Sequence, residues 1–386
     1  MNASLPSGCQ IIRMTPRGRG AVATLRVEGA DAVSLVQMFF HRVSGQSLDQ
    51  VPLDRIVYGR WHSRDGVADE DVVVCRRGRH EIEIHSHGGL AAQIAITESL
   101  QEHGGQLTDW RDWAPTQHAS STLVAARIAL ASARTENTAH ILLDQLNGAL
   151  DCELAEIVDM ILRGARNEVL GRLDLLKVYA HTGRCLARPW SIVVAGPPNV
   201  GKSSLINAIL GFERSIVADQ PGTTRDLLAS ETAIDGWPVR FLDTAGIHAN
   251  ADRLEQAGIQ LAIEQIAEAD LLLLVFDASQ HWQPQHDDLC ERYPQAIVVH
   301  NKIDLAVTGG PWARPGTIGQ PTSAHRGDGI DSLLQLITRQ LIPVVPPRGA
   351  PVPFLEEQVT AITQARQRAA AGHLDLAIAA LLDVIG

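Results

Sequence analysis

The stretch Gly196-Pro197-Pro198-Asn199-Val200-Gly201-Lys202-Ser203 decides the fold, because it has the pattern G-x-x-x-x-G-K-S of a phosphate-binding P-loop. A glycine-rich turn brings backbone N–H groups close to phosphate oxygens, and the next helix adds the positive end of its dipole. An apolar run at 192–195 precedes the loop and a helical run at 204–210 follows it, which counts against a chance Gly/Ser-rich turn. The residues expected to contact nucleotide here are Asn199, Val200, Gly201, Lys202, Ser203 and Ser204.

Two side chains of this loop have predicted chemical roles. Lys202 is expected to reach the β- and γ-phosphates and to act in catalysis, and the Ser203 hydroxyl is expected to ligate Mg²⁺. A second Mg²⁺ contact is predicted at Asp243, which ends the apolar run of Phe241-Leu242-Asp243-Thr244-Ala245-Gly246 and would hold the ion through its water shell. The Gly246 N–H is placed to sense the γ-phosphate, and Thr244 and Ala245 complete this nucleotide-binding turn.

A threonine pair lies between these two segments, in Gly222-Thr223-Thr224-Arg225-Asp226. A threonine at this point completes the Mg²⁺ shell when the γ-phosphate is present. We expect Thr224 in that role, with Thr223 as the near alternative; a solvated loop that happens to carry two threonines is the competing interpretation.

The nucleotide base is indicated by Asn301-Lys302-Ile303-Asp304, an N-K-x-D motif after an apolar strand. Asp304 can accept two hydrogen bonds from the N1–H and N2–H₂ edge of guanine. Adenine lacks that donor pair, and a site built this way discriminates by roughly 10⁴ or more. Ser323 and Ala324 fit the loop that backs the base. Alone, N-K-x-D would favour an ordinary polar turn; after a P-loop and D-T-A-G it favours a GTP site.

The residue after D-T-A-G is Ile247, where many small GTPases have a glutamine that orients water. An aliphatic side chain has no group to polarise water, so the general base must lie elsewhere. Asn199 offers a carbonyl oxygen near the phosphates that suits a monovalent cation. K⁺ there would supply the charge of an arginine finger, which is worth roughly 10³ to 10⁵ in rate.

From Gly196 to about Ile247 these motifs resemble the MnmE/TrmE family of tRNA-modification GTPases. The resemblance implies K⁺ at Asn199, a G domain that dimerises across the nucleotide, and a catalytic glutamate that matches Glu255. The competing interpretation of Glu255 is a capping box with Asp252 at the start of a helix. His248 departs from the family pattern, which commonly has arginine there.

Composition indicates a globular chain of two or three domains, with 386 residues of which 45% are hydrophobic. The sequence predicts an α/β P-loop GTPase domain inserted in an α-helical domain, preceded by an N-terminal α+β domain. The predicted bounds are 1–113 for the N-terminal domain, 114–188 and 344–386 for the helical domain, and 189–343 for the G domain. Helices are expected at 30–40, 90–102, 330–341 and 355–385, and a buried strand at 271–276.

Composition also argues against several classes of protein. Five scattered cysteines without C-x-x-C argue against a disulfide or zinc framework. No run of 18 apolar residues predicts a membrane span, and the N-terminus lacks a signal pattern, so we expect a cytoplasmic protein. A net charge of −11 disfavours broad affinity for nucleic acid. The basic residues of 163–188 form the candidate RNA-facing patch, with a solvated helix face as the competing interpretation.

Two N-terminal segments also resemble the MnmE/TrmE family, at 15–21 and at Glu83-Ile84-His85-Ser86-His87-Gly88-Gly89. The resemblance implies a dimerising domain that binds formyl-tetrahydrofolate. Ser86 replaces the usual cysteine, and the family's Arg-Ala-Phe-x-Asn-Gly-Lys stretch has no clear counterpart near Trp110, which both count against folate binding. His85 and His87 alternate on a strand, but no third metal ligand accompanies them at a suitable spacing.

The family also ends in Cys-x-Gly-Lys, whereas this sequence stops at Leu382-Asp383-Val384-Ile385-Gly386. We expect either a tRNA wobble-uridine modification GTPase, with an MnmG-like flavoprotein and tRNA as partners and a homodimer as its state, or a diverged GTP-controlled dimerisation switch. A ribosome-assembly GTPase of the Era/EngA kind is the third hypothesis, although no KH-like G-x-x-G domain follows the G domain.

Overall fold

The computed structural model describes residues 8–15, 20–42, 44–62, 69–117, 120–212, 229–243, 264–306 and 319–385. The chain divides into two compact units, Met1–Ala119 and Ser120–Gly386. Each unit has its own sheet and its own hydrophobic core.

The first unit is built on a seven-stranded sheet with the order β3-β4-β5-β6-β2-β1-β7. Its strands are β1 (Gln10–Arg13), β2 (Val22–Glu28), β3 (Phe40–Arg42), β4 (Ile56–His62), β5 (Asp69–Gly78), β6 (Glu81–His87) and β7 (Gln106–Thr108). Neighbouring strands are antiparallel except for the parallel pair β1–β7. The helices of this unit are α1 (Ala32–Gln37), α2 (Leu90–Glu102) and α3 (Trp110–Trp113), and 3-10 turns occupy Leu48–Gln50 and Ala114–Gln117.

Alternating burial along the strands explains the core of this unit. On β2 every second residue is buried, as expected for a sheet that covers its core with one face. Ile96 and Leu100 of α2 join that core, and Trp61 of β4 donates from its indole nitrogen to the Ser99 hydroxyl at 3.0 Å. Helix α2 has the predicted bounds, whereas the helix expected at 30–40 is shorter, because Phe40 already pairs with Trp61 as part of β3.

The His-x-His-Gly-Gly segment has a structural explanation within this sheet. A Cβ at Gly88 would lie 1.9 Å from the carbonyl oxygen of Gly20, so the close approach of two chain segments requires glycine there. His85 Nδ1 lies 2.9 Å from the Thr24 hydroxyl on the neighbouring strand. Among the described residues no cluster of three or more His, Cys, Asp or Glu side chains has metal-binding geometry.

The second unit combines a helical bundle with a six-stranded sheet of order β13-β12-β11-β8-β10-β9. The strands are β8 (Trp190–Ala195), β9 (Ala229–Ile234), β10 (Trp237–Asp243), β11 (Leu271–Asp277), β12 (Ile297–Asn301) and β13 (Gln320–Pro321). All neighbours are parallel except the edge pair β9–β10. The helices are α4 (Ser121–Leu130), α5 (Glu136–Leu146), α6 (Ala149–Leu162), α7 (Arg166–Gly183), α8 (Lys202–Phe212), α9 (Pro284–Arg292), α10 (Ile330–Leu341), α11 (Glu356–Ala371) and α12 (Leu374–Ile385).

Chain segments before and after the nucleotide-binding sheet share one helical core. Leu154 and Ile157 of α6 and Leu173 of α7 pack with Ile362 of α11 and Leu381 of α12. The predicted fold class, an α/β P-loop domain inserted in a helical domain after an N-terminal α+β domain, is confirmed.

The tail at 355–385 is helical, as expected, and consists of two helices. Gly372 ends α11 with a left-handed φ of 86°, a conformation that glycine adopts without steric strain, and α12 then begins at Leu374. Helix α10 has the predicted bounds. Within the described ranges, no helix combines the length and the apolar character that a membrane crossing needs.

Candidate functional site

The phosphate loop follows the buried strand β8 and ends where α8 begins at Lys202. Gly196 has a φ of 144°, and a Cβ there would lie 2.1 Å from the Val275 carbonyl oxygen on β11. Gly201 has a φ of 93°, and its Cβ would lie 2.6 Å from Asn301 Nδ2. Both glycines of the G-x-x-x-x-G-K-S pattern are therefore fixed by backbone conformation and by lack of space.

Lys202 is buried, and its ammonium group lies inside the loop. Nζ donates to the carbonyl oxygens of Gly196 at 3.1 Å and of Pro197 at 2.9 Å. Burial lowers the pKa of this ammonium group, and the nearby charge of Asp243 opposes that shift. A phosphate oxygen is a stronger acceptor than either carbonyl, so the loop presents a partly desolvated cation to an incoming anion.

Ser203 and Asp243, the two predicted Mg²⁺ contacts in the described ranges, lie side by side. The Ser203 hydroxyl donates to Asp243 Oδ2 at 2.5 Å. The parallel pairing of β10 with β8 produces this contact, because it carries the end of β10 to the loop that follows β8. A hydroxyl and a carboxylate are hard oxygen ligands of the kind Mg²⁺ prefers, so this donor set fits the ion.

On the base side, Asn301 connects three segments. Its Nδ2 donates to the Val200 carbonyl oxygen at 3.0 Å, and its Oδ1 accepts from the Ala324 N–H at 3.1 Å and the Thr322 hydroxyl at 3.4 Å. Asn301 itself is 1% exposed. The side chain predicted to contact nucleotide thus sets the distance between the phosphate loop and the loop that backs the base.

Lys302 adopts a left-handed conformation with a φ of 64° and points back toward the phosphate loop. Its ammonium group donates to the Asn199 carbonyl oxygen at 2.7 Å and to Asp277 Oδ2 at 2.7 Å. Asn199 is itself left-handed, with a φ of 62°. The N-K-x-D motif therefore holds the residue for which the sequence predicts K⁺ binding.

Asp304 lies beside the backing loop, as the sequence predicts for the guanine acceptor. The buried Ser323 hydroxyl donates to Asp304 Oδ1 at 2.7 Å, and this hydrogen bond lowers the pKa of the carboxyl group. An ionised, pre-oriented carboxylate is the acceptor that the paired donors of guanine require. Ala324 lies next to it, with its N–H bound by Asn301.

The remaining predicted contacts differ in placement. Ser204 lies exposed on the first turn of α8. Six residues fall outside the described ranges: Thr223, Thr224, Thr244, Ala245, Gly246 and Glu255. Sequence reasoning missed Asp277, although a carboxylate at the end of a fully apolar strand, followed by Ser279, was a readable signal.

The basic stretch at 163–188 is largely occupied by contacts within the chain. Arg163 pairs with Asp159, Arg172 with Glu153 and Glu156, and Arg188 with Asp270. The Arg166 guanidinium donates to the Ala370 carbonyl oxygen. These partners favour the solvated, self-paired helix face over the RNA-facing patch.

Comparison with known proteins finds similarity to GTPases. The family model described as 50S ribosome-binding GTPase matches residues 191–302. The tRNA modification GTPase MnmE of Synechococcus sp. (strain RCC307) is 32% identical over 356 residues, which are 82% of this chain and 77% of that protein. The MnmE of Lactococcus lactis subsp. cremoris (strain MG1363) is 33% identical over 334 residues, 75% of this chain and 72% of that protein. Among solved structures, the G domain of the T. maritima FeoB iron transporter covers 40% of this chain and 99% of that domain at 24% identity, with a TM-score of 0.30.

Proposed function

This chain belongs to the MnmE family of tRNA modification GTPases and is a GTP hydrolase, and we propose that its GTP cycle drives modification of the wobble uridine of tRNA. One observation carries the assignment of the site: Asn301 and Lys302 bind the carbonyl oxygens of Val200 and Asn199, which joins a guanine-type base loop to a phosphate loop. That geometry fits one ligand with a guanine at one end and phosphates at the other.

In the proposed site each described residue has a distinct role. Lys202 exchanges its carbonyl partners for the β- and γ-phosphates, and Asp304 receives the guanine edge. Ser203 would hold Mg²⁺ through its hydroxyl and Asp243 through the water shell of the ion, and Thr224, which lies outside the described residues, would complete the shell when the γ-phosphate is present. The ion, when bound, neutralises charge that develops on the phosphate oxygens.

We propose further that the Asn199 side chain binds K⁺ and that this ion stimulates hydrolysis. Turnover should be higher in KCl than in NaCl at equal ionic strength, and Asn199→Ala should remove the difference. The Asn207→Ala variant is the matched control, because Asn207 lies exposed on α8. Equal turnover of the unmodified protein in both salts would contradict the K⁺ proposal.

Glu255 is the proposed residue that orients the attacking water. Glu255→Ala should reduce turnover by roughly 10² or more while GTP affinity stays within a factor of about two, as expected for a group that acts mainly in the transition state. Glu268→Ala provides an exposed acidic control. A large loss of affinity or stability instead would favour the capping interpretation.

The proposed partners are tRNA, an MnmG-like flavoprotein and a second copy of this chain. Mass spectrometry of tRNA nucleosides tests this, using a strain that lacks its own MnmE and receives this chain together with its native MnmG-like partner. Restored wobble-uridine modification is the expected result. If GTPase activity is present in the same lysate and the modification stays absent, the tRNA part of the proposal is wrong.

A second candidate function rests on the description of the matching family model, 50S ribosome-binding GTPase. Co-sedimentation with ribosomal subunits in the presence of a non-hydrolysable GTP analogue tests it. Nucleotide-dependent co-sedimentation together with unchanged tRNA nucleosides would favour this candidate over tRNA modification.

A further inference from the structure

Strand β11 lies between the two halves of the proposed nucleotide site. In the sheet it pairs with β8, which leads into the phosphate loop, and with β12, which leads into the base loop. Its last residue, Asp277, is the register partner of Asn301 at the end of β12. Ligands of parallel α/β sheets bind beyond the carboxyl ends of the strands, so Asp277 stands at the functional edge between the two loops.

The Asp277 carboxylate is buried and oriented by two sets of donors. Oδ1 accepts from the Ser279 N–H at 2.9 Å and from the Ser279 hydroxyl at 2.6 Å, which fixes the plane of the group. Oδ2 accepts from Lys302 Nζ at 2.7 Å and from Gln280 Nε2 at 3.5 Å, and the Asp277 side chain is 5% exposed. Burial by itself raises the pKa of this carboxyl group, but the hydrogen bonds from Lys302 and Ser279 outweigh burial and leave the pKa lowered.

Lys302 transmits this orientation to the phosphate loop. The same ammonium group that donates to Asp277 also donates to the Asn199 carbonyl oxygen at 2.7 Å. Asn199 has a left-handed backbone, which is unfavourable for a residue with a Cβ and needs support from its surroundings. A line of charge-assisted hydrogen bonds therefore runs from the end of β11 through Lys302 to Asn199.

We propose that Asp277 is a positioning residue for guanine-nucleotide binding, acting through Lys302 to hold the phosphate loop and the base loop in one geometry. This inference rests on the proposed nucleotide site. Asp277 does not touch the nucleotide; it fixes the Lys302 stem below the base and fixes Asn199 beside the phosphates. Its loss weakens nucleotide binding by letting the two loops separate.

The test is a double-mutant cycle, measured by titration of the full chain with a fluorescent N-methylanthraniloyl derivative of GDP. Asp277→Asn should raise Kd about tenfold or more, in line with the loss of a hydrogen bond between charged groups. In a Lys302→Met background the same substitution should change Kd by less than about twofold, because the hydrogen bonds through Lys302 to the phosphate loop are gone. Equal effects in both backgrounds would overturn the proposal in favour of a general structural role.

Two further variants complete the double-mutant cycle, one as a control and one as a replacement. Asp288→Asn makes the same chemical change at an exposed position of α9 and should leave Kd unchanged. If Asp277→Asn does not fold, Asp277→Glu replaces it in the cycle: it keeps the charge but displaces it, and its effect on Kd should again vanish in the Lys302→Met background. Persistence of that effect would contradict the proposal.

Failure of this inference is distinguishable from failure of the proposed site. If the unmodified chain binds the GDP derivative no better than the matching ADP derivative, the guanine-nucleotide site itself is wrong. If it binds GDP selectively and the cycle is additive, only the positioning role of Asp277 is wrong.

Discussion

At the scale of single residues, Asn301 connects the phosphate loop to the loop that backs the base. Asn301→Ala removes the acceptor of the Ala324 N–H and the donor to the Val200 carbonyl oxygen, and the side chain is almost fully buried. A buried group left without its hydrogen bond costs about 1–3 kcal/mol, so we expect the free energy of unfolding to fall by about 2 kcal/mol or more. Urea denaturation measures this, with the exposed Asn207→Ala as control; equal losses in the two variants would contradict the prediction.

His300 makes stability depend on pH. Burial lowers its pKa from 6.5 to about 4, with a smaller contribution from the charge of His286. Between these values the unfolded chain binds a proton that the folded chain does not, so the free energy of unfolding falls as the pH falls. One proton corresponds to a slope of at most about 1.4 kcal/mol per pH unit.

The test of this prediction compares the free energy of unfolding of the native chain with that of His300→Phe. Urea denaturation measures both from pH 7 to 4.5. The substitution keeps an aromatic ring beside Trp282, whose centroid lies 5.7 Å from that of His300. We expect the free energy of unfolding of His300→Phe to depend less steeply on pH than that of the native chain. His281→Phe, at an exposed position, should keep the native dependence. Parallel curves for the native chain and His300→Phe would show that His300 is not the source.

The sequence indicates candidate residues for the site but not how their side chains contact one another. The motifs single out Lys202, Ser203 and Asp304 because phosphate and base chemistry favour those residue types, and the structure places the first two at the start of α8 and the third in the turn after β12. The contact of Lys302 with Asp277 depends on the register of β11 against β12. Register is set by tertiary packing across strands that are distant in sequence, so a motif alone does not determine it.

At the scale of secondary-structure elements, the β9–β10 hairpin joins the nucleotide-binding sheet to helix α5. Its turn is Asp235-Gly236, with φ values of 50° and 76° typical of a two-residue hairpin turn. Asn137 of α5 donates to the Asp235 carbonyl oxygen at 3.3 Å, and Arg134 pairs with Glu231 of β9. Strand β10 begins directly after this turn and ends at Asp243.

A side chain at the turn should disturb this contact. Gly236→Ala places a Cβ 2.6 Å from Asn137 Nδ2 and on a backbone with positive φ, and we expect a loss of about 1 kcal/mol in the free energy of unfolding. Gly171→Ala is the matched control, because Gly171 lies inside α7 with open space around it. There the same change should stabilise by about 0.5–1 kcal/mol. Urea denaturation of both variants distinguishes the opposite signs.

Element bounds were predictable where periodicity and end signals agree. Helix α10 starts after Gly329 and carries apolar residues at helical spacing, and its predicted bounds are those observed. The helical character of the tail was predictable, but its break was not, because glycine inside a helix and glycine at a helix end, as at Gly372, look alike in sequence. The prediction of a helix over 30–40 was too long at its end, because Phe40 belongs to strand β3 instead.

At the scale of the whole molecule, the two units have separate cores. The main core of the first unit runs from Cys9 to Leu100, whereas the core around the phosphate loop is built from residues between Ala126 and Phe354. All described residues of the nucleotide site belong to the second unit. Ligand that binds only the folded state stabilises the unit whose folding creates the site.

Differential scanning calorimetry of the full chain should therefore show a selective response to guanine nucleotide. With GDP and Mg²⁺ at about 100 times Kd, the transition of the second unit should gain about 2.7 kcal/mol in free energy of unfolding, and the transition of the first unit should stay in place. For a unit of this size each kcal/mol shifts Tm by roughly 2–4 °C.

ADP at the same concentration is the control and should shift neither transition, because Asp304 finds no paired donors on adenine. Asp304→Asn should abolish the GDP response while leaving the ligand-free transitions nearly unchanged. Movement of both transitions by the same amount would show instead that the two units unfold together.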